Sequence, residues 1–399
     1  MYLFIKCLLL CVLFLVKTVT LTAQVIDAGE VVREGEKPLP IAIESDDAGV
    51  LKLARRAFEL HGGYTLTVPG QAVFSFRIER FEAASVLLKI YSGKPAREQF
   101  RANVDGRDLN HAVLRACDRA VEATLHIKGF FAGKLAFVCK QNEVSEIYTS
   151  DMLFNKVRVL TADRSAVTSP DWSPDGKKLL YTTYHKSGFP DIYMLDLSSG
   201  RKDPIATYGG TNAAPAFSPD GQRIAMALSG SGNSEIVVAD AKGQNGTPIT
   251  RKKSIETSPS WSPDGRSIVL VSDILGKPQL YRISAKGGSM RRVPTNISGY
   301  CSEPAWNPVD ENRIAFTAAV KNGFQIAVYD RKSRRSEILT SVPGFAVEPE
   351  WLRDGRHLVF TQKQRGSERL MILDSKTKSI SALHSPNLGK VSSATFVYR

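Results

Sequence analysis

Over the last two thirds of the chain, short apolar runs alternate with polar turns, and the alternation restarts at a regular interval. Each repeat opens with a proline, followed two residues later by an aromatic residue, and three repeats continue as Ser-Pro-Asp-Gly. These aromatic anchors are spaced 44 or 45 residues apart, at Trp172, Phe217, Trp261, Trp306 and Trp351. A period of this length with turn residues inside each unit is typical of one four-stranded propeller blade. The pattern therefore predicts a β-propeller.

Each repeat also shows where its strands begin and end. Proline cannot donate to a sheet ladder, so it bounds a short strand, and Asp-Gly provides the positive φ of a tight turn. Apolar strand-like runs follow the turn, for example at 179–182, 224–227 and 268–271. An aromatic residue that recurs in every unit usually serves the architecture. We therefore expect the anchors to pack between neighbouring sheets and not to form a ligand platform.

The predicted number of blades depends on two strand-like segments that lie outside the five repeats. Before the first anchor, runs at 134–138, 145–148 and 157–161 have the character of strands two, three and four of a blade without a first strand. One further period after Trp351 falls on Phe396, within the apolar stretch 394–398. The sequence predicts six blades, with the C-terminal strand completing the first. Such closure removes exposed sheet edges.

Residues 24–128 show a different pattern and predict an α+β domain ahead of the propeller at 134–399. Strand-like runs lie at 39–43, 64–68, 73–78, 86–91 and 98–104, and helical spacing of apolar residues lies at 50–58 and 109–127. Asp46 or Asp47 is the predicted cap of the first helix. Residues 24–37 contain one short apolar run and then Gly, Glu and Lys in close succession, which predicts a mobile arm.

The first 23 residues are interpreted as a secretory signal peptide. Lys6 precedes an apolar run at 7–16, and a polar stretch ends at Ala23. An uncleaved anchor is the alternative, but ten apolar residues fall short of the roughly 20 needed to cross a bilayer. No other stretch predicts a membrane span. The remaining cysteines, Cys117, Cys139 and Cys301, are expected to be buried small apolar residues, with a Cys117–Cys139 disulfide as the alternative.

The chain has a formal charge of +13. In a secreted protein this charge favours an anionic partner or the envelope surface over nucleic acid. Basic residues recur 25 to 31 positions after the anchors, where the turns between strands three and four are predicted, and this predicts a basic rim beside the Asp-Gly turns. The alternative is a set of solvated turns. The residues are Arg201, Lys202, Lys242, Arg291, Arg292, Arg331, Lys332, Arg334, Arg335, Lys376 and Lys378.

Sequence motifs for catalysis are missing from the chain. It has no Gly-x-Ser-x-Gly elbow, no phosphate-binding Gly-x-x-x-x-Gly-Lys loop and no His-Glu-x-x-His motif. Its six histidines share no metal-ligand spacing. We therefore predict no cofactor or resident metal. A propeller enzyme stays open, because its site would be assembled from carboxylates and histidines on several blades and would show no such motif.

The residues three and four positions before each anchor are predicted to lie in the loops that enter strand one and to surround the mouth of the central tunnel. They are mostly small and polar, and Glu303 and Glu348 are the charged exceptions. This pattern predicts a slightly acidic mouth that binds a protein or peptide with a basic feature. Two alternatives stay open: a carboxylate pair that holds a cation or acts as acid and base, and structural loops without a partner.

The blade phrase together with the segment before it resembles the TolB family, the periplasmic component of the Tol-Pal envelope complex of Gram-negative bacteria. The similarity is strongest at 128–138 and 212–221, and Val25-Ile26-Asp27-Ala28-Gly29 is similar to the start of mature TolB. Related blade phrases occur in propellers fused to serine peptidases, but the N-terminal α/β domain sets this chain apart from them.

The resemblance implies a periplasmic binding protein that is not an enzyme and that supports outer-membrane integrity and constriction during cell division. It implies that the lipoprotein Pal docks at the tunnel mouth and that the arm reaches the inner-membrane protein TolA, with other outer-membrane proteins as further candidates. The implied Pal surface comprises Thr211, Asn212, Ala213, Ala214, Thr257, Ser258, Glu303 and Glu348, and the implied TolA segment comprises Val25, Ile26, Asp27, Ala28 and Gly29. The alternatives are a secreted propeller hydrolase or lactonase with a metal in the tunnel, and a stand-alone propeller scaffold.

Overall fold

The computed structural model describes residues 37–186, 188–321 and 323–398, and these form one five-stranded sheet with two helices and six four-stranded sheets. The predicted signal peptide at 1–23 lies outside the described residues. The predicted arm lies outside them as well, apart from Lys37. The structure of the described residues therefore tests neither prediction.

The N-terminal elements appear in the predicted order. The strands are β1 (Leu39–Glu44), β2 (Tyr64–Leu66), β3 (Phe74–Glu82), β4 (Ser85–Ser92) and β5 (Arg97–Asp105), and the helices are α1 (Ala48–Glu59) and α2 (Leu109–Leu125). The sheet order is β2-β1-β3-β4-β5, with β1 parallel to β2 and β3. Asp47 caps α1 by accepting from the backbone N–H of Gly49 and Val50. Strand β2 is shorter than the predicted 64–68.

Six sheets of four strands confirm the predicted propeller. Blade one contains β29 (Lys390–Val397), β6 (Lys134–Gln141), β7 (Val144–Asp151) and β8 (Arg158–Val159); blade two contains β9 (Val167–Trp172), β10 (Lys178–Thr183), β11 (Asp191–Asp196) and β12 (Lys202–Ala206); blade three contains β13 (Asn212–Phe217), β14 (Arg223–Leu228), β15 (Glu235–Asp240) and β16 (Thr247–Pro248). Blade four contains β17 (Glu256–Trp261), β18 (Ser267–Ser272), β19 (Gln279–Ser284) and β20 (Arg291–Arg292); blade five contains β21 (Cys301–Trp306), β22 (Arg313–Val320), β23 (Gly323–Asp330) and β24 (Arg335–Ile338); blade six contains β25 (Phe345–Trp351), β26 (His357–Gln364), β27 (Ser367–Asp374) and β28 (Ile380–Ala382).

The C-terminal strand closes the propeller as the sequence predicts. Phe396 of β29 pairs with Leu135 of β6, so the chain's last strand becomes the first strand of blade one. The anchors also pack between sheets. Trp261 donates from Nε1 to the carbonyl oxygen of Ala216 in the preceding blade at 3.0 Å, and the Arg223 guanidinium lies over the indole ring.

The first strand of every blade contains a bulge three residues before its anchor. At this position the residues adopt φ between 49° and 57°, which is uncommon outside glycine, and the pairing with the second strand shifts there. The six residues, named here the bulge ring, are Ser169, Ala214, Ser258, Glu303, Glu348 and Ser393. The prediction that they lie in loops entering strand one is wrong, since they lie within the strand.

The N-terminal domain lies on the propeller face that carries the Asp-Gly turns, named here the turn face. Its contacts are with blades one and six. Arg56 donates from Nη2 to the carbonyl oxygen of Leu153, and Lys156 pairs with Asp108 at 2.7 Å. Phe58 of α1, Phe131 of the connecting segment and Leu352 of blade six belong to the same buried apolar cluster. The two parts therefore share a core, and the predicted division at 128–134 falls between α2 and β6.

The structure bears on two further predictions, the basic rim of this face and the state of the buried cysteines. The predicted basic rim is partly misplaced, because four of its residues lie in fourth strands and not in the preceding turns: Lys202, Arg291, Arg292 and Arg335. Its role stays a prediction. The cysteines Cys117, Cys139 and Cys301 are each buried and free, so the alternative of a Cys117–Cys139 disulfide is wrong.

Candidate functional site

A cavity of about 550 Å³ runs between the first strands of all six blades and forms the central tunnel. The bulge ring lines it. A second ring, named here the inner ring, comes from the residues directly before the anchors. Each member lines the tunnel or forms a hydrogen bond with a neighbouring blade. The members are Asp171, Ala216, Ser260, Ala305, Glu350 and Thr395.

The two charged members of the bulge ring join neighbouring blades. Glu303 Oε2 accepts from Thr317 Oγ1 at 2.6 Å and from the backbone N–H of Glu348 in the next blade at 2.8 Å. Glu348 Oε2 repeats the arrangement, accepting from Thr361 Oγ1 at 2.7 Å and from the Ser393 N–H at 2.9 Å. Lys363 approaches the other Glu348 oxygen at 3.3 Å. Burial and the neighbouring Glu348 raise the pKa of Glu303.

These bonds change the interpretation of the tunnel mouth. One oxygen of each carboxylate already accepts two hydrogen bonds from within the propeller, so the pair stabilises the contacts between blades five, six and one. A buried carboxylate that loses such donors becomes costly. The contact of Glu303 and Glu348 with a basic partner stays a prediction, whereas both carboxylates accept hydrogen bonds from the next blade.

The inner ring contains two buried carboxyls that sequence reasoning missed. Asp171 Oδ2 accepts from the backbone N–H of Phe217 in the next blade at 2.7 Å, and Glu350 Oε1 accepts weakly from that of Phe396 at 3.4 Å. Burial raises the pKa of Glu350 to about 7, and burial together with the Glu350 charge raises that of Asp171. The signal lay one position before each anchor, where a polar residue can reach the following blade.

The other residues implied for the Pal surface do not all reach the surface. Thr211 is exposed, and Ala213, Ala214, Thr257 and Ser258 are partly exposed at the tunnel mouth. Asn212, in contrast, is 0% exposed, and its Nδ2 donates to the carbonyl oxygens of Pro190 and Tyr208 at 3.1 and 2.8 Å. Its side chain anchors the entry to blade three and does not contact a partner. The arm residues 25–29 lie outside the described residues.

The face around the tunnel mouth, opposite the turn face, carries exposed apolar side chains and is named here the tunnel face. Its loops join strands two and three within a blade, or one blade to the next. Single exposed apolar residues are common on protein surfaces, but they mark interaction sites when they cluster. Those in the tunnel-face loops include Tyr208, Ile255, Ile274, Leu275 and Tyr300, and Phe345 is exposed at the start of β25. Tyr300, Phe324 and Phe345 form an aromatic group with ring centroids 5.4 and 5.6 Å apart.

Basic side chains surround these apolar residues. Arg251, Lys252 and Lys253 are exposed in the loop before β17, and exposed lysines occupy the loops between strands two and three. The latter are Lys186, Lys277 and Lys321. The predicted slightly acidic character therefore does not extend to the loops around the mouth. A surface that is apolar in its loops and basic around them complements a partner with apolar and acidic residues.

Taken together, the architecture defines a six-bladed propeller with an α+β domain on one face and an apolar, basic surface on the other. The TolB β-propeller domain model matches residues 121–396, and the chain belongs to that family. The chain is 33% identical over 129 residues to the Tol-Pal system protein TolB of Alcanivorax borkumensis, covering 32% of this chain and 29% of that protein. It is 31% identical over 180 residues to the TolB of Desulfosudis oleivorans, covering 45% and 38%.

The fold itself extends further than the sequence match. TolB from Acinetobacter baumannii superposes with a TM-score of 0.82 at 22% identity, covering 90% of this chain and 97% of that one. The sequence alignments, in contrast, span 29% and 38% of the two curated relatives' length. Among the described residues, no helix has the length and apolar character needed to cross a membrane.

Proposed function

We propose that the chain is a periplasmic, non-enzymatic protein-binding component of the Tol-Pal system and that Pal docks on its tunnel face. The proposal rests on membership of the TolB family and on the names of the relatives. In this role the protein would contribute to outer-membrane integrity and to constriction during division. The segment Val25–Gly29 is proposed to contact TolA.

The observation that carries the proposal is the contrast between the two propeller faces. The N-terminal domain already contacts the turn face, whereas the tunnel face presents aromatic and aliphatic side chains to solvent. Interfaces of standard size bury about 1,600 Å² in total, and buried aromatic residues are enriched among their strongest contacts. The group formed by Tyr300, Phe324 and Phe345 is suited to that role, and the neighbouring lysines and arginines suit an acidic partner.

The test is a calorimetric titration of residues 24–399 with the soluble domain of the cognate Pal, in the presence of a chelator. Saturable one-to-one binding is expected. Absence of binding by folded protein at high concentration would contradict the proposal. The chelator separates it from the metal-dependent hydrolase alternative, for which activity lost on chelation would be the expected sign.

The TolA contact needs its own experiment. Deletion of residues 24–35 is expected to abolish binding to the soluble domain of TolA while the chain remains folded. If the shortened chain binds TolA as the full mature chain does, the proposed role of the arm is wrong. If neither TolA nor Pal binds, the stand-alone scaffold becomes the better interpretation.

A further inference from the structure

Two histidines meet in the buried contact between the N-terminal domain and blade six. His61 follows α1, and His357 is the first residue of β26. Both are 0% exposed, and their rings lie edge to face with centroids 4.4 Å apart. Phe130 of the connecting segment packs against both rings, at 5.6 and 4.9 Å. The pair is separated by nearly 300 positions along the chain, so sequence spacing could not reveal it.

Each imidazole forms a hydrogen bond through one nitrogen, and the other nitrogen forms none among the described residues. His61 Nδ1 accepts from the Gly63 N–H at 3.3 Å, and His357 Nδ1 donates to Asp354 Oδ2 at 2.5 Å. The Nε2 atoms of both rings are buried without a hydrogen bond. Buried polar atoms without partners are rare in folded proteins and call for an explanation.

The remaining charged groups around the pair come from blade six. Arg356 forms a bidentate ion pair with Asp374, with Nε and Nη2 at 2.6 to 3.0 Å from the carboxylate, and Asp374 Oδ2 lies 3.6 Å from His357 Nε2. On the N-terminal side the neighbouring titratable group is Tyr64, whose ring lies 4.9 Å from that of His61. The hydroxyl of Tyr64 is bonded to Thr124, so it is not a partner for His61.

This set of groups disfavours a metal ion. His61, Asp354 and His357 could bring three ligand atoms within 4.8 Å of one another. However, Asp354 is already used, since Oδ1 accepts from the N–H of Arg356 and His357 and Oδ2 accepts from the His357 ring. The Arg356 guanidinium also lies beside the cluster and would repel a divalent cation. At most the two Nε2 atoms remain, and that of His61 carries the ring hydrogen while Nδ1 accepts. This is fewer than the ligands that a zinc site requires.

A proton is the other cation that an imidazole nitrogen can take, and His61 is poorly placed to receive one. Because Nδ1 accepts from the Gly63 N–H, the neutral ring carries its hydrogen on Nε2. A second proton, on Nδ1, would break that bond and place a charge in an aromatic environment, close to the Arg356 guanidinium and to His357. Gly62 and Gly63 pack closely here: a Cβ on Gly62 would lie 2.7 Å from Cβ of Asp374. The contact therefore leaves little room for water to solvate the new charge. These effects, burial first, lower the pKa of His61 well below its ordinary value.

We propose that the His61–His357 contact is a pH-sensitive latch, which holds the N-terminal domain against blade six at neutral pH and loosens as the surroundings become acidic. Because the folded-state pKa of His61 is depressed, its contribution is present above the unfolded value near 6.5 and is lost as the pH falls below it. For one histidine that titrates only when the contact is open, the opening equilibrium rises roughly ten-fold between pH 7.5 and 5.5.

The latch lies on the same hairpin as part of the tunnel mouth. Strand β25 carries Glu348 at the tunnel, the chain then turns through Asp354, and β26 begins at His357 on the turn face. Opening of the latch would therefore remove a contact at one end of a hairpin whose other strand helps to form the tunnel mouth. The inference concerns the domain contact itself and does not depend on a partner.

The test is hydrogen exchange of the mature chain between pH 7.5 and 5.5, corrected for intrinsic rates. Peptides covering 58–66 and 352–360 are expected to lose protection roughly ten-fold in the wild type. His61→Phe keeps an aromatic ring in the contact but cannot titrate, so it should remove that pH dependence. The matched control is His126→Asn, because His126 is exposed and its φ of 56° is one that asparagine tolerates.

The result that would overturn the proposal is equal pH dependence of these peptides in wild type and His61→Phe. If that variant fails to fold, His61→Gln provides a second chain without the titrating group, and the same comparison applies. Because no partner is present, failure of the latch leaves the Pal titration unaffected, and failure of that titration leaves the latch unaffected.

Discussion

The two faces of the propeller are built from the same repeat but are used differently. On the turn face, Asp118 of α2 accepts from the backbone N–H of Phe131 and Ala132 at 2.7 and 3.0 Å and from the Tyr398 hydroxyl at 2.9 Å. These bonds join helix, connecting segment and C-terminal strand. On the tunnel face, in contrast, loops such as 273–278 place apolar side chains in solvent. The repeat thus sets the scaffold, while departures from it determine which face is available to a partner.

The largest expected effect is the loss of the turn-face hydrogen bonds when Asp118 is removed. Asp118→Ala leaves two backbone N–H groups and the Tyr398 hydroxyl without their acceptor, so the free energy of unfolding should fall by about 3 kcal/mol. Tyr398→Phe removes one of the three bonds and should cost about 1 kcal/mol. Urea denaturation of both variants measures the difference. Equal effects would contradict the role of Asp118 as the shared acceptor.

The corresponding change on the tunnel face should affect binding and spare stability. Leu275 is 65% exposed, so Leu275→Asp introduces a charge without opening the core. We expect Kd for Pal to rise about ten-fold or more, since a charge at an apolar contact must be desolvated. Val309→Asp is the matched control, because Val309 is 55% exposed on the turn face. A similar loss of affinity in both variants would remove the distinction between the faces.

The tunnel runs between the two faces. The buried carboxyls of its inner ring predict a pH effect on stability. The pKa of Glu350 is raised to about 7, so the folded chain binds its proton more tightly than the unfolded chain does. Stability should therefore decline as the pH rises from about 4.5 towards 7. Glu350→Gln keeps an acceptor for the Phe396 N–H without the charge and should stabilise the chain by about 1 kcal/mol at pH 8. Denaturant unfolding at pH 5 and pH 8 checks this, and a variant less stable at pH 8 would contradict it.

The smallest expected effect concerns the charges around the mouth. Replacing Arg251, Lys252 and Lys253 by glutamate should weaken Pal binding about three-fold at low salt and less at high salt, because exposed charges are screened. Replacing Lys376 and Lys378 of the predicted basic rim should leave Kd unchanged. Titrations at two salt concentrations distinguish them. A larger effect of the rim lysines would move the electrostatic contact to the turn face.

The features that the sequence predicted are those that repeat. The anchors, the Asp-Gly turns and the 45-residue step to Phe396 were sufficient for the six blades and their closure, because each unit repeats one local physical requirement. The helices were also predictable, since Asp47 and the apolar spacing after it act locally.

What could not be predicted depends on contacts between distant segments. Asn212 is a polar residue of a type usually found at the surface, but its side chain is buried and donates to the carbonyl oxygens of Pro190 and Tyr208. Glu303 and Glu348 were visible as charges, but not as bonds between blades. The meeting of His61 with His357 follows from how the N-terminal domain packs, and no local pattern encodes it.

We propose that Pal docks on the tunnel face and not on the turn face. A hydrogen-exchange footprint of residues 24–399 with and without the soluble domain of Pal tests it most directly. We expect protection of the tunnel-face loops at 207–211, 251–256, 273–278 and 297–301, with the turns at 197–201 and 241–246 unchanged. Protection confined to those turns would rule out docking on the tunnel face, because it would place the partner beside the N-terminal domain.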